Sequence, residues 1–254
     1  MRFLSNLFRN NSLKERNIKI GVNNKISEKA IIHESVTIGN NNVIEDYVVI
    51  HPNTKIGDNN KIFPYNIIGE YPINSNIDGV DYSKLKNFKG VVIGNNNLLH
   101  VNNIIFSGCK NPTFIGNNNL FLAESHVAHD VKVFNNVTFY PRIVQGGFSI
   151  YLDYSSIGMG AVIQQRTIVG QYSMIGANNA VTKHVFPYFI NINNKIHRLN
   201  KMKIPLEIND NEAVLKEINE NFKVNNYDIS SYNLNNQIKN DLNTYIDKLK
   251  LSKE

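Results

Sequence analysis

Apolar residues recur along this chain at a fixed interval of six positions. The series begins with Ile20, Ile26, Ile32 and Ile38 and continues to Ile68 without a missing member. The position two residues before each isoleucine mostly holds a small residue or an Asn, and Gly or another polar residue often follows the isoleucine. An amphipathic helix needs apolar spacings of three and four, so this period excludes a helix.

A six-residue unit with two inward-facing side chains and a polar corner is a short strand followed by a turn. Gly and Asn tolerate the positive φ angles of such corners, which explains the Asn triplets at 40–42, 95–97 and 117–119. Stacked units bury a continuous core and pair their backbones along the coil axis. The sequence therefore predicts a hexapeptide β-helix, an all-β solenoid, over residues 18–190.

The six-residue period is interrupted twice. The first break is polar and lies near residues 70–91, and the second lies at residues 107–113. The period then runs from Ile115 to Val181, and Gln145 is the one polar member of that series. Loops that leave a rigid solenoid are usually functional, so we expect two ejected loops that carry part of a site.

The segments on either side of the predicted solenoid differ from it in character. Residues 1–17 carry a short apolar stripe between arginines, which predicts an N-terminal arm or capping helix. Pro187 ends the repeat because proline removes a donor from the strand ladder. Residues 191–254 show apolar residues at helical spacing over 212–222 and 234–251, which predicts a C-terminal helical domain.

Composition and charge narrow the functional classes. The 254 residues include 27 Lys and Arg against 21 Asp and Glu, a net charge of +6 without a long run of like charges. This balance favours an anionic substrate or an acidic protein partner and argues against nucleic-acid binding. Cys109 is the single cysteine, so a reducing, cytoplasmic compartment fits. No apolar run approaches the ~18 residues that cross a bilayer, so we predict no integral membrane span.

Residues 124–130 contain candidate catalytic side chains. If one turn of the coil is three hexads, residues 18 apart stack at about 4.8 Å, which places His129 one rung from Gly147. An imidazole beside the carboxylate of Asp130 can act as a base, and the Gly147 N–H can stabilise an oxyanion. The geometry indicates acyl transfer. The alternative is a surface His paired with an acid for structural reasons alone.

Zinc binding is a competing use of His100, His126 and His129. A His-x-x-His spacing at a β corner differs from the common zinc motifs, and His100 belongs to another register of the repeat. We therefore predict no metal site.

The run from His126 to Asp130 and the array that follows resemble the acyl-ACP:UDP-N-acetylglucosamine O-acyltransferases of lipid A synthesis. The resemblance covers roughly residues 18–250 and includes Ile68-Gly69-Glu70 and Pro187-Tyr188. It implies a left-handed, three-sided parallel β-helix with a C-terminal helical domain. It also implies a homotrimer with active sites between subunits.

The same resemblance implies a role for four residues. His129 would be the general base, Asp130 its partner, Gly147 the oxyanion donor and His126 a contact to the substrate. The resemblance also implies that no cofactor is bound and that the acyl group comes from acyl-ACP or acyl-CoA.

Four positions at which the resemblance implies substrate contacts are altered or displaced here, and a fifth, Gln165, is retained. Phe148 replaces a histidine after the oxyanion Gly, and Gln164 and Gln165 replace a His-Gln pair. Ala177 holds the position whose size limits acyl length, where the long-chain members of the family have Gly. Arg198 lies upstream of the place where paired arginines meet the nucleotide phosphate, and those arginines have no clear equivalent.

These observations predict an acyltransferase that moves an acyl group from acyl-ACP or acyl-CoA to a nucleotide-activated sugar resembling UDP-N-acetylglucosamine. A hydroxyl or an amine of the sugar can be the acceptor, since both need deprotonation. Two alternatives stay open. One is a trimeric scaffold or binding protein without activity, and the other is a metal-dependent enzyme on the same fold.

Overall fold

Short strands and tight corners alternate through the described residues, which are 17–72, 88–224 and 227–252 of this computed structural model. The arm predicted for residues 1–17 lies outside them except for Asn17, and so do residues 73–87 of the first predicted loop. The strands stack in register, so that Lys25 pairs with Val43 and Val43 with Lys61. The observed fold is the predicted left-handed parallel β-helix with a C-terminal helical region.

The strands form three sheets, one on each side of the coil, and are numbered in chain order. Face A contains β1 (Lys19–Ile20), β4 (Thr37–Ile38), β7 (Lys55–Ile56), β10 (Val91–Ile93), β13 (Thr113–Ile115), β16 (Lys132–Val133), β19 (Ile150–Tyr151) and β22 (Ile168–Val169). Face B contains β2 (Lys25–Ile26), β5 (Val43–Ile44), β8 (Lys61–Ile62), β11 (Leu98–Leu99), β14 (Leu120–Phe121), β17 (Thr138–Phe139), β20 (Ser156–Ile157), β23 (Met174–Ile175), β25 (Phe189–Ile192) and β26 (Lys195–Leu199). Face C contains β3 (Ile31–Ile32), β6 (Val49–Ile50), β9 (Ile67–Glu70), β12 (Ile104–Phe106), β15 (His126–Val127), β18 (Val144–Gln145), β21 (Val162–Ile163) and β24 (Ala180–Val181).

The residues of the six-residue series face the interior of the coil. Ile44, Ile50, Ile62 and Ile68 are almost completely buried, and each stacks on the equivalent residue of the neighbouring turn. Full burial of one such side chain stabilises the fold by about 1.5–3 kcal/mol. The period in the sequence is therefore the period of the core.

Asparagine has two structural roles in this coil. Corner residues such as Asn41 and Asn59 have φ angles of 57° and 58°, a region that Asn tolerates better than most residues. A second set is buried and forms a ladder along the axis, in which each side-chain oxygen accepts the backbone N–H of the next member. The members of this ladder are Asn24, Asn42, Asn60, Asn97 and Asn119.

Two insertions leave the coil between face C and face A. Most paired residues in neighbouring strands are 18 positions apart, but Lys55 pairs with Val92. The larger separation arises because residues 71–90 lie between β9 and β10. The next turn is lengthened by residues 107–112, and Val92 pairs with Phe114. Both insertions therefore interrupt the coil at the same corner.

The chain leaves the coil through a hairpin and then forms helices. Asn193 and Asn194 both have positive φ angles, which suits a two-residue turn between β25 and β26. The boundary predicted at residue 190 thus falls within β25. The first residues of the predicted helical domain, 191–199, form strands that extend face B and are not helical. A 3-10 helix (Leu206–Asn211) follows, and then α1 (Glu212–Lys223) and α2 (Asn236–Leu251). The apolar residues of the two helices pack with Leu152 and Ile168 of the coil.

Gln145 is a polar residue at a core position. Its side chain is completely buried, and neither its amide nitrogen nor its amide oxygen has a hydrogen-bond partner among the described residues. Its neighbours in the same inward column are Val127 and Ile163.

We expect Gln145→Leu to raise the free energy of unfolding by about 1–3 kcal/mol, because it removes two buried polar groups at similar side-chain volume. Chemical denaturation of both proteins measures the change. Gln145→Ala is the matched control and should destabilise the protein, since it leaves a cavity. A loss of stability in the Leu variant would show that the amide is satisfied in solution.

Candidate active site

His129 lies on the corner of the coil that leads from face C to face A. We call this the C–A corner, and its residues in four successive turns are 128–131, 146–149, 164–167 and 182–184. The side chain of His129 is 33% exposed, whereas that of Asp130 is 1% exposed. Asp130 has a φ angle of 59°, so the chain turns sharply here and brings the carboxylate beneath the imidazole.

The Asp130 carboxylate is held by the second insertion. The backbone N–H groups of Cys109, Lys110 and Asn111 donate to its two oxygens at 2.8, 2.9 and 2.7 Å. Its own backbone N–H donates to Oγ1 of Thr113 at 2.9 Å. Residues 107–112 thus form a cradle of N–H donors around one acid, which explains why this insertion lies beside His129.

The carboxylate fixes the tautomer of the imidazole. Burial raises the pKa of Asp130, but the N–H donors and the His129 ring outweigh burial and hold that pKa below its usual value. The ionised carboxylate can only accept, so the contact of 3.0 Å between Oδ2 and Nδ1 of His129 assigns the hydrogen to Nδ1. Nε2 is then free to accept a proton, as a general base requires.

Gly147 lies against the His129 ring, one rung further along the coil. A methyl group at its α-carbon would lie 2.8 Å from Cε1 and 2.9 Å from Nε2 of His129, so only glycine fits without moving the ring. The N–H of Gly147 donates no hydrogen bond to another described residue. A residue with a free N–H therefore lies against the ring of the base, and this pairing suits a tetrahedral oxyanion.

Phe148 completes the immediate surroundings of the imidazole. Its ring meets the His129 ring edge to face, with 5.2 Å between the ring centres. The Arg166 guanidinium and the Lys110 ammonium group both lie close to the Phe148 ring. His129 therefore has apolar and cationic neighbours on the side that leads toward later turns of the coil.

Cys109, His129 and Asp130 are the one group of possible metal ligands found within the described ranges, and their ligand atoms lie within 4.8 Å of one another. Four donors already occupy the Asp130 oxygens. Burial and the neighbouring Asp130 charge raise the pKa of the Cys109 thiol, which disfavours the thiolate that binds metals. The arrangement suits a base better than a metal site.

Comparison with known proteins places this site in a context. Over 76 residues, 30% of this chain, it is 42% identical to the acyl-(acyl-carrier-protein)–UDP-N-acetylglucosamine O-acyltransferase of Sinorhizobium fredii, and the match spans 28% of that relative. The enzyme of the same name from Nautilia profundicola is 34% identical over 103 residues, which is 39% of this chain and 40% of the relative. The predicted family resemblance is confirmed.

The whole fold is similar to that of solved members of this family. The UDP-N-acetylglucosamine acyltransferase of Campylobacter jejuni has a TM-score of 0.68 and 27% identity, and the similarity covers 82% of this chain and 80% of that one. No protein-family model matches the chain. In sequence, the chain matches less than half the length of the two curated relatives. In structure, the similarity covers 80% of the Campylobacter jejuni protein.

The structure brings some of the predicted site residues together and separates others. His129, Asp130, Gly147 and Phe148 form one cluster, as described above. Gln164 and Gln165 lie on the C–A corner one turn after Gly147, where they line a cleft against the C-terminal helices.

Ala177 and Arg198 lie apart from this cluster. Ala177 is exposed on the corner that leads from face B to face C, which we call the B–C corner (residues 122–125, 140–143, 158–161 and 176–179 in successive turns). Arg198 is exposed on β26 and does not line the cleft.

Sequence reasoning missed several residues of the site. The backbone cradle of residues 109–111 and the cations Lys110 and Arg166 were not among the predicted site residues. The broken period at 107–113 was a signal for the cradle, since an insertion at the C–A corner must project beside His129.

None of the helices in the described part of the chain has the length and apolar character needed to cross a bilayer.

His126 and His51 share an environment that disfavours their charged forms. His126 packs against Phe106, with 4.8 Å between the ring centres, and burial lowers its pKa. Burial also lowers the pKa of His51, which stacks on His33, although Glu70 nearby opposes the shift. Both residues are therefore neutral in the folded state at neutral pH.

We expect the free energy of unfolding to fall as the pH drops below about 6.5, because the unfolded chain then takes up protons that the folded chain does not. The full contribution of these residues to the free energy of unfolding is present above pH 6.5 and is lost as the pH falls through their lowered pKa values. Urea denaturation from pH 7.5 to 5 measures the slope. The double variant His51→Gln/His126→Gln should show a shallower slope, and an unchanged slope would contradict this assignment.

Proposed function

We propose that the chain transfers an acyl group from a thioester to a hydroxyl or amine of a nucleotide-activated sugar. The observation that carries the proposal is the position of His129, with Nδ1 held by Asp130 and the ring against Gly147, whose N–H has no acceptor among the described residues. The relatives in Sinorhizobium and Nautilia are named for acyl carrier protein and UDP-N-acetylglucosamine. We extend these classes of substrate to this chain, with acyl-CoA as a second possible donor.

The chemistry follows from the arrangement of three groups. Nε2 of His129 takes the proton of the attacking hydroxyl or amine while its oxygen or nitrogen bonds to the thioester carbonyl carbon. The carbonyl oxygen becomes negative and accepts the N–H of Gly147, and the Asp130 carboxylate stabilises the imidazolium. The carbon–sulfur bond then breaks, and the imidazolium returns the proton to the departing sulfur. The products are an ester or amide and a free thiol, and the reaction needs no resident cofactor.

We further propose a homotrimer with an active site between subunits. Val144 and Val162 occupy successive outward positions on face C and are 45% and 48% exposed, although they flank the His129 corner. Outward positions on face C are apolar except for His126 and Glu70, so a second copy of the chain is a suitable cover. The B–C corner that carries Ala177 can reach a His129 only from another copy.

The proposed substrates are anionic and match the net charge of +6. Acyl carrier proteins, coenzyme A and nucleotide sugars meet in the cytoplasm, and we place the reaction there. The division into an N-terminal arm, a coil over 18–190 and a helical domain over 191–254 is retained as a proposal, with the hairpin of β25 and β26 joining the last two.

An activity matrix tests the proposal. Short and long acyl-CoA and acyl-ACP donors are each paired with UDP-N-acetylglucosamine and with an amino-sugar nucleotide, and product is measured by mass spectrometry. Turnover in at least one pair is expected, and mild alkaline hydrolysis, which cleaves an ester and leaves an amide intact, identifies the linkage in the product. A well-folded protein without turnover in any pair would favour the scaffold alternative.

A further inference from the structure

The single cysteine of the chain lies beside the base, and the proposed reaction does not use its thiol. Cys109 is exposed, and its Sγ, a ring nitrogen of His129 and a carboxylate oxygen of Asp130 lie within 4.8 Å of one another. The backbone N–H of Cys109 donates to Oδ2 of Asp130 at 2.8 Å, which holds the cysteine at this place. A thiol, an imidazole and a carboxylate thus meet at one point of the C–A corner.

These three donor types select one class of metal ion. A thiolate sulfur, an imidazole nitrogen and a carboxylate oxygen are the ligands that zinc takes in proteins, whereas magnesium and calcium take oxygen ligands. Three protein ligands leave the fourth position of a tetrahedral ion to water. Because Cys109 is exposed and His129 is partly exposed, a divalent ion can enter this group from the solvent.

The spacing of the two best-fixed ligand atoms suits a zinc ion. Nδ1 of His129 and Oδ2 of Asp130 are 3.0 Å apart, and two ligands at about 2.1 Å from a tetrahedral ion are about 3.4 Å apart. A small movement of the ring is sufficient, since Asp130 stays in its cradle through the N–H donors of Lys110 and Asn111 on Oδ1. Rotation of the exposed Cys109 side chain between its rotamers brings Sγ into place.

We propose that Cys109, His129 and Asp130 bind a zinc ion that inhibits acyl transfer by occupying the base. The ion takes the position of the hydrogen between Nδ1 of His129 and Oδ2 of Asp130. That hydrogen moves to Nε2, so the imidazole stays neutral, and the thiol proton of Cys109 passes to the solvent as Sγ becomes a ligand. The thiolate and the carboxylate together neutralise the two charges of the ion.

Metal binding and catalysis exclude each other at this site. The proposed reaction needs Nε2 of His129 as a proton acceptor, but in the zinc-bound form Nε2 carries a hydrogen and is a donor. To bind the metal, Asp130 must exchange its hydrogen bond from the imidazole and Cys109 must lose its proton. The metal-free group therefore serves as a base, and zinc acts as a reversible inhibitor and not as a resident cofactor. The inhibition rests on the proposed function, whereas the metal site does not.

Titration of the full-length protein with cobalt(II) under a non-thiol reductant tests the site. Cobalt takes the same ligands as zinc, and its bond to a thiolate gives a charge-transfer band in the near ultraviolet. We expect this band to saturate at one ion per chain, to disappear when zinc is added and to be absent from Cys109→Ser. His129→Gln retains the thiol but should bind cobalt about tenfold more weakly or worse, because even changes outside the ligand set cost 10–100-fold.

A histidine away from the site provides the matched control. His197 is exposed on β26, so His197→Gln should bind cobalt like the wild type. Circular dichroism confirms the fold of each variant. The absence of a charge-transfer band from the wild type at millimolar cobalt, or equal affinities in His129→Gln and the wild type, would overturn the metal site.

Rates of acyl transfer with and without zinc test the inhibition, and each protein is compared with its own metal-free rate. Saturating zinc should lower the wild-type rate about 100-fold or more, as loss of a general base does. Cys109→Ser should need about tenfold more zinc or higher for the same inhibition. An unchanged rate of the zinc-bound wild type would overturn the inhibition. Cobalt binding that depends on His129, without turnover in any donor and acceptor pair, would refute the proposed function and leave the metal site intact.

Discussion

Replacement of His129 with Ala should lower the rate of acyl transfer at least about 100-fold. General base catalysis typically contributes 10²–10⁴-fold, and the Asp130 carboxylate and the Gly147 N–H cannot take up the proton of the acceptor. The variant keeps the corner conformation, because the φ angle of Asp130 and its cradle depend on residues 109–111 and not on the imidazole. Steady-state rates with the best donor and acceptor from the activity matrix measure the effect.

A second histidine serves as the matched control for this variant. His197 is exposed on β26 and does not line the cleft, so His197→Ala should leave the rate unchanged. A rate close to wild type in the His129 variant would mean that another group is the base.

Replacement of Asn60 with Ala should lower the free energy of unfolding by about 3 kcal/mol or more. Its side-chain oxygen accepts hydrogen bonds from the backbone N–H and the amide of Asn97, and its amide donates to Asn42 and to the carbonyl of Gly94. Three of these four hydrogen bonds are buried and the one to Gly94 is part-buried, and each buried group left without a partner costs about 1–3 kcal/mol. Chemical denaturation measures the change.

The preceding residue gives a control at the same corner of the coil. Asn59 is exposed and has a φ angle of 58°, so its role is conformational and not that of a ladder member. Asn59→Gly should change the stability by less than about 0.5 kcal/mol, because Gly adopts the same φ without strain. Equal losses in the two variants would contradict the distinction between ladder and corner asparagines.

The coil could be predicted from the sequence because its interactions repeat. The side chains of Ile44, Ile62 and Leu99 occupy the same place in successive turns, so the period of apolar residues reports the fold directly. The helices predicted over 212–222 and 234–251 agree with α1 (Glu212–Lys223) and α2 (Asn236–Leu251) for a similar reason, since their apolar spacing reflects one buried face. The hairpin of β25 and β26 was missed, because β26 lies outside the six-residue period and is largely exposed.

The sequence by itself determined the period of the core, and with it the rung that joins His129 to Gly147. The stacking of these two residues follows from the sequence alone, because residues 18 apart stack wherever the repeat is unbroken. Only the tertiary structure decided how Asp130 is held and which cations surround Phe148. Those contacts come from residues 107–112 and from Arg166, which belong to different turns of the coil. Their positions depend on how an irregular insertion folds against a corner, and no period in the sequence encodes that.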